Sequence, residues 1–446
     1  MKMSFLRCFQ IAASCLGLSL AVTTQGQDWP QWLGVNRDGK TAGFSAPKSW
    51  PKELTQKWKV SVGDGVSTPS LVGDKLYVFS RQNGAEIARC LDAATGKELW
   101  QQKYDALGAT GPASGFSGPR ATPVVADGKV VTYGVRGMLS CLDAKDGKVL
   151  WRQEEFNGGV PRFFTSSSPL LTDDLCVAQL GGGEKEGGVF AFAIGDGKEK
   201  WRWTGDAPGY ASPVLMTIDG TKAVIAVTDT KLVALNLADG KKLLEIGFAA
   251  QGRGGYNAAT PIVDGQTLIY SGSGRGSTAV KLVKKGDVLA AEDLWKNTDN
   301  SVVFNSPVLK NAAVYGLSAG NDIFCINARD GKTAWSVSSS GGSSGTAGSS
   351  PGQIASAPGG GGGERKGGRG GGGMGRSGFG SIVDAGSVML AMTPSAELVV
   401  FEPSDSAYKE VARIKVTEGS TYAMPVPSGN RLFLKDQDSV MLLSVQ

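Results

Sequence analysis

Histidine is absent from all 446 residues. That excludes a Ser-His-Asp triad, a Cys-His nucleophile pair and any His-ligated zinc or haem centre. Cysteine is scarce, with six residues and no two adjacent. No window shows the 3.6-residue apolar period of an amphipathic helix. Beyond residue 26 no apolar run is long enough to span a bilayer. Neither sign of charge prevails, because 46 Lys+Arg face 41 Asp+Glu for a formal +5. Lys2 and Arg7 belong to an N-terminal leader, and the rest carries +3. Residues 338–380 alone account for +3, through Arg365, Lys366, Arg369 and Arg376 against Glu364. The remainder is near neutral, so it offers no basic face for a nucleic-acid duplex. Glycine is abundant instead: 65 residues, about twice ordinary usage. With 41% hydrophobic residues a large core can form.

Residues 1–26 read as a secretory signal. Lys2 and Arg7 precede the apolar stretch "CFQIAASCLGLSLAV", and "TTQG" offers a cut at Gly26/Gln27. A membrane anchor would need a longer apolar stretch. Lipidation at Cys15, which ends "AASC", is disfavoured because apolar residues continue past it. The expected product is exported, to the periplasm or the medium, with no stable membrane span.

Length alone suggests about three domains, but internal self-similarity overturns that prior. A Thr/Ser-Pro-apolar start recurs at Thr68, Thr122, Ser168, Ser212, Thr260 and Ser306, with weaker copies at Ser381 and Met424. The first six lie 54, 46, 44, 48 and 46 residues apart. The next spacing is 75, and the Gly/Ser-rich run 338–380 supplies the excess. Within each unit, short runs rich in Val, Ile, Leu, Phe and Tyr alternate with Gly-Asp, Asp-Gly and Asn-Gly turns, about four strands per unit. Eight such units predict an all-β, eight-bladed β-propeller of four-stranded antiparallel blades over 54–446. The eighth unit lacks its outer strand, while an orphan strand, "LTQKWKV", precedes the first. Pairing the two closes the ring without an exposed edge. Seven blades with one stray unit is the alternative.

The turn strings "LDAATGKELW" (91–100), "LDAKDGKVLW" (142–151), "FAIGDGKEKW" (192–201) and "INARDGKTAW" (326–335) recur in register. They resemble the tryptophan-docking motif of pyrroloquinoline-quinone-type propellers, and the chain is also similar to the non-catalytic propellers of the BamB outer-membrane assembly family. The resemblance covers about 54–446. It implies that Trp58, Trp100, Trp151, Trp201, Trp295 and Trp335 pack between blades. Weaker contacts are expected where Leu244 replaces Trp, in the irregular fifth unit, and in the seventh, which lacks the turn Gly. "DWPQWLGVNRDG" (28–39), inside the extension 27–53, resembles an N-terminal signature of secreted bacterial propellers, with Leu33 where Arg is common. Trp29 and Trp32 are expected to plug the propeller, with carbohydrate stacking as the other reading.

The resemblance extends to quinoprotein dehydrogenases, which carry an adjacent Cys-Cys disulfide, a Ca²⁺ site and a catalytic Asp. No Cys-Cys occurs here. Cys90, Cys141 and Cys325 share one repeat slot, filled elsewhere by Ala191, Ala234 and Val400, so a small buried apolar side chain is the expectation. Cys176 is the remaining thiol. Asp64, Asp206 and Asp299 read as turn residues, because a Ca²⁺ site needs several convergent oxygens. "GSGRGS" (272–277) lacks the helix of a dinucleotide fingerprint and reads as a hairpin turn. Segment 338–380, with 19 Gly in 43 residues, reads as a disordered loop. Its Arg-Gly character suits RNA binding only in a chain that is not exported.

The segments just before each blade start carry an aromatic and often an Arg: Phe116 and Arg120; Arg162, Phe163 and Phe164; Tyr210; Arg253, Tyr256 and Asn257; Phe304 and Asn305; Arg376 and Phe379; Tyr422. In a propeller these links lie on one face around the channel mouth. They either cap the blade cores or form a binding ring, and aromatics with Arg are common binding anchors. The expectation is a non-catalytic monomeric binding scaffold without cofactor or metal, taking a protein or peptide at the mouth, in envelope protein assembly by resemblance. Strand addition at a blade edge is a second mode. The alternatives are a quinone- and Ca²⁺-dependent dehydrogenase and a glycan-binding module.

Overall fold

The computed structural model describes residues 28–250, 255–340, 379–419 and 421–446. The leader 1–26 lies outside the described residues. So does most of the Gly-rich run, of which only Ser338–Ser340 and Phe379–Gly380 are placed. The described residues form eight four-stranded antiparallel sheets. Seven take their strands in chain order, from the axis outward. Blade 1, for example, runs Ser70–Val72, Lys75–Gln82, Ala85–Asp92, Glu98–Asp105. The eighth is completed from the other end of the chain. Thr55–Ser61 pairs antiparallel with Ser439–Ser444, so the ring closes as the orphan strand implied. Among the described residues no helix is long and apolar enough to cross a membrane.

The innermost strands explain the repeated Thr/Ser-Pro start. Each hydroxyl faces the axis and accepts the backbone N–H of the equivalent residue in the preceding blade. Thr122 N–H donates to Ser168 Oγ at 2.9 Å, Ser168 to Ser212 at 2.9 Å, Ser212 to Thr260 at 3.2 Å and Thr260 to Ser306 at 2.9 Å. Met424 N–H donates to Thr68 Oγ1 at 3.0 Å across the seam. The circle is interrupted at Thr122 and Ser381, whose hydroxyls have no partner. The following proline suits an edge facing the axis, since it brings no N–H that would need a partner there.

The outer strands explain the tryptophans. Trp100 Nε1–H donates to Ala144 O of the next blade at 3.1 Å, Trp151 to Ile194 O at 2.9 Å and Trp201 to Leu237 O at 2.8 Å. Trp58, Trp295 and Trp335 do the same to Ala93, Ala328 and Ser404. The turn glycine beneath is fixed twice over. Gly147 has φ +76°, and a Cβ there would stand 2.5 Å from the Trp100 ring. The irregular fifth blade still docks, Trp295 donating at 2.7 Å. Trp335 likewise reaches Ser404 O at 2.8 Å in the seventh blade, whose turn lacks glycine. In the seventh blade's outer strand, the Trp position holds Ala412.

The shared cysteine slot has a steric cause: Cys90, Cys141 and Cys325 lie directly opposite Trp100, Trp151 and Trp335 on the neighbouring strand. All four described cysteines are buried free thiols. Burial pushes Cys90 up to about 11 and Cys141 and Cys325 to about 12. Cys176 rises further for the same reason. None is a thiolate nucleophile near neutral pH.

The seam carries an additional lock. Lys435 is fully buried, and its Nζ donates to Gly63 O, Gly65 O, Asp436 O and Gln437 O at 2.8–3.1 Å. Burial pulls this ammonium down to about 8, against the attraction of Asp436, Asp64 and Asp438. Lys59 on the closing strand adds an ion pair to Asp436 at 3.2 Å. Between blades 1 and 2, buried Glu86 accepts Val135 N–H at 2.8 Å and the Tyr104 hydroxyl. Desolvation raises its pKa above the ordinary carboxyl value, and the bonds from Tyr104 and Val135 and the charge of Arg81 offset part of that rise.

Two predictions test these interactions. Lys435→Met leaves four buried carbonyls short of a donor and should cost about 3 kcal/mol in urea unfolding. Hydrogen exchange should then rise first at Thr55–Ser61, and uniform exchange across all blades would contradict the seam lock. Glu86 holds its proton in the folded state at pH values where the unfolded chain has lost it. Its contribution is therefore fully present below the unfolded carboxyl pKa and is lost as pH rises through the raised folded value. Glu86→Gln should flatten that decline, measured as wild type minus variant between about pH 4 and about pH 8.

Candidate mouth site

The links from each outer strand to the next inner strand all emerge on one face. They carry the aromatic residues just before each Thr/Ser-Pro start, and the blade symmetry sets these side by side. Ring centroids follow one another around the opening: Phe116–Tyr422 5.1 Å, Tyr422–Phe379 4.8 Å, Phe379–Phe304 4.2 Å, Phe304–Tyr256 5.5 Å. Tyr256 then meets Phe163 at 4.7 Å and Tyr210 at 5.7 Å. Arg120 fills the remaining gap between Phe163 and Phe116. Its Nη1 donates to Phe163 O at 3.3 Å, and its Nη2 to Phe116 O at 2.9 Å and Ala113 O at 3.1 Å. Tyr210 is held in place by accepting Phe163 N–H at 3.0 Å, and burial raises its phenol to about 12.

These side chains surround a cavity of about 270 Å³. Among the described residues its wall contains no acidic residue, and Arg120 is the one charged side chain. Trp32 forms the floor. The N-terminal segment crosses the opposite face of the ring, where Trp29 pairs with Leu71 and Pro30 O accepts Val125 N–H at 2.8 Å. Buried Arg37 donates to Pro169 O at 2.8 Å and Ser168 O at 3.2 Å. From there Trp32 reaches up the axis, and its Nε1–H donates to Thr260 Oγ1 at 2.9 Å. Both tryptophans are in the plug, and the channel is blind.

Several sequence candidates fall elsewhere. Phe164 is buried away from the opening, against Ala109 and Val135, with Arg136 Cζ 5.5 Å from its ring. A turn closed by Phe164 N–H on Pro161 O at 2.8 Å leaves Phe164 at φ +66°, which reverses its direction and gives the mouth position to Phe163. Arg162 is exposed and stacks over Phe163 at 5.2 Å without lining the cavity. Asn257 is buried; it donates to Thr228 O, Asp229 O and Phe248 O and accepts Arg275 Nη2 at 2.6 Å. Asn305 does line the cavity, with its amide donating to Leu317 O at 2.9 Å and accepting Leu317 N–H at 3.4 Å. These two amides brace backbone. Arg253 and Arg376 lie outside the described residues, so the expected ring of four arginines has one described member in the wall, Arg120.

The carboxylates singled out from sequence are engaged locally. Asp64 accepts Ser117 N–H at 2.6 Å and its hydroxyl at 2.5 Å. Asp206 accepts Thr228 and Thr230 hydroxyls and Thr230 N–H. Asp299 accepts the Thr333 hydroxyl at 3.3 Å. Among the described residues no group of three His, Cys, Asp or Glu could hold a metal ion. "GSGRGS" is a hairpin, with Gly272 paired to Gly276.

Residues 83–337 match the sequence family described as outer membrane protein assembly factor BamB. BamB of Shewanella oneidensis is 25% identical over 305 residues, 63% of this chain and 70% of its own length. BamB of Xanthomonas campestris is 26% identical over 274 residues, and the chain spans 64% of that relative's length. Among solved structures, quinohemoprotein alcohol dehydrogenase from Comamonas testosteroni superposes with a TM-score of 0.63 at 14% identity, over 94% of this chain and 80% of that one. The last likeness is one of fold.

Trp32→Ala should remove the cavity floor and the bond to Thr260. An unfolding free energy lower by about 3 kcal/mol is expected in denaturant titration; a loss under about 1 kcal/mol would mean that the plug does not depend on this side chain.

Proposed function

The chain belongs to the family of the outer membrane protein assembly factor BamB, and from that membership we propose that it is a non-catalytic, monomeric scaffold that holds polypeptide partners during envelope protein assembly. The proposal includes export through the 1–26 leader and work in the periplasm, without quinone or calcium. The observation that carries it is the mouth: seven aromatic rings and Arg120 around a blind, acid-free cavity. Aromatics and Arg arranged in this way are interface anchors. A bound quinone with Ca²⁺ would call for a carboxylate cluster and cationic partners. Among the described residues the wall offers no carboxylate, and its one guanidinium already donates to three carbonyls.

The test places a photo-cross-linking phenylalanine analogue at Tyr256, and separately at exposed Leu150 on an outer strand, in the producing bacterium. Adducts with envelope polypeptides are expected at position 256, weakened about tenfold by Arg120→Ala. Adducts at 150 but none at 256 would move the interface to a blade edge. In parallel, pyrroloquinoline quinone with Ca²⁺ should leave the melting temperature unchanged and give no dye reduction with alcohols. A rise in melting temperature together with dye reduction would make the chain an enzyme.

A further inference from the structure

Resting on the reading of the mouth as a polypeptide site, the chemistry of its wall narrows what can enter. The floor is closed by Trp32, so nothing threads through the ring. A cavity of about 270 Å³ lies just below the ~300–1,000 Å³ of pockets for drug-sized ligands. That space suits one large side chain with its flanking main chain, not a strand or an oligosaccharide. The walls are aromatic faces and edges, which favour an inserted ring through offset and edge-to-face contacts.

Charge decides between the two guests such a ring could take. Aromatic cages also hold cations, but those cages gain from nearby negative charge. Here, among the described residues, no carboxylate lines the cavity, and Arg120 stands in the wall. A Lys or quaternary ammonium would meet a like charge with nothing to offset it. Arg120 has five N–H groups, and the three bonds it makes to carbonyls leave two available. It therefore asks for an acceptor, which a peptide carbonyl provides. Sugars bring many hydroxyls that need both donors and acceptors. Of the wall serines described, Ser212 and Ser306 each accept an N–H of the axial circle, Ser166 donates to Tyr210 O, and the Ser381 hydroxyl alone is without a partner, too few for the hydroxyls of a sugar ring.

We propose that the mouth is a socket for a single aromatic side chain of a partner polypeptide, with the adjoining main-chain carbonyl taken by Arg120. The experiment uses the full chain and capped heptapeptides Gly-Ser-Gly-X-Gly-Ser-Gly, with X as Trp, Tyr, Phe, Leu, Lys or Ala. Binding is followed by saturation-transfer NMR and titration. The aromatic peptides should bind about tenfold tighter than Leu, and Lys and Ala should show no saturation transfer. Phe304→Leu, which keeps an apolar wall, should collapse the aromatic-over-Leu ratio. Arg120→Gln should weaken every aromatic peptide to the same extent. Melting curves confirm that each variant is folded. Leu equal to Phe, Lys as the preferred residue, or an unchanged ratio in Phe304→Leu would each overturn the socket. So would competition by an oligosaccharide in place of the aromatic peptides. If the peptide series is flat while cross-links at position 256 persist, the socket fails and the polypeptide site stands. If both are absent, the mouth reading fails with it.

Discussion

Ring closure is the constraint on which the remaining structure depends. Within a blade, strands are joined by hydrogen-bond ladders, but adjacent blades meet mainly through side chains and scattered single bonds. The eighth blade is the one place where a ladder joins the two ends of the described chain, Thr55–Ser61 against Ser439–Ser444. Closing so long a loop costs only a logarithmic entropy term. The cost must still be met locally, and the seam concentrates unusual interactions to meet it. A fully buried ammonium binds four carbonyls, an ion pair joins Lys59 to Asp436, and Thr68 accepts a bond from Met424. Burying that lysine is tolerable only because its donors are satisfied.

Once the ring is closed, the axis follows from the repeat. Five of the blade-start hydroxyls accept a backbone N–H from the preceding blade, so the inner strands stand at a fixed spacing and their axial edges carry few unpaired donors. The axis is then filled from one side by the N-terminal segment. That segment spends a buried guanidinium, Arg37, on carbonyls of the third blade. Burial lowers Arg37 to about 9, so it is still charged at neutral pH. With one end occupied, the opposite opening becomes a cup. Residues from seven inter-blade links, far apart in sequence, become neighbours there because each occupies the same position in its own repeat.

Much of this was legible in the sequence for a physical reason. Turn glycines under a tryptophan and small residues opposite it are demanded by a contact that repeats around the ring, so six tryptophans dock in register, five of them over a turn glycine. The aromatic band was legible in the same way, by position before each Thr/Ser-Pro. What escaped depended on one-off local geometry. Phe163 and Phe164 are adjacent and alike, and a single left-handed residue decides which enters the mouth. Asn257 and Asn305 looked like ligand contacts, and only the structure shows their amides committed to backbone. Lys435 and Arg37 carry no mark in the sequence, since nothing in the local pattern distinguishes a cation whose donors will be met by buried carbonyls. The role of Trp32 as floor follows from the depth to which the plug inserts, which no spacing encodes.

The same fold also houses a quinohemoprotein dehydrogenase, so architecture alone does not choose between enzyme and scaffold. The distribution of reactive groups supports the scaffold. Catalysis by this chain would need a nucleophile, base or ligand set facing the cup. The thiols instead lie in the blades, three of them opposite tryptophans, with pKa values raised by burial. The carboxylates nearest the links are tied to hydroxyls and backbone N–H groups of neighbouring turns and strands. Buried Glu86 bridges two blades and does not line the cavity. Among the described residues, polar groups are thus largely consumed in fixing strands and links, and the cup is left with rings and one guanidinium. Shape, apolar area and a single directed donor are what such a surface offers, and the proposed scaffold role draws on that chemistry.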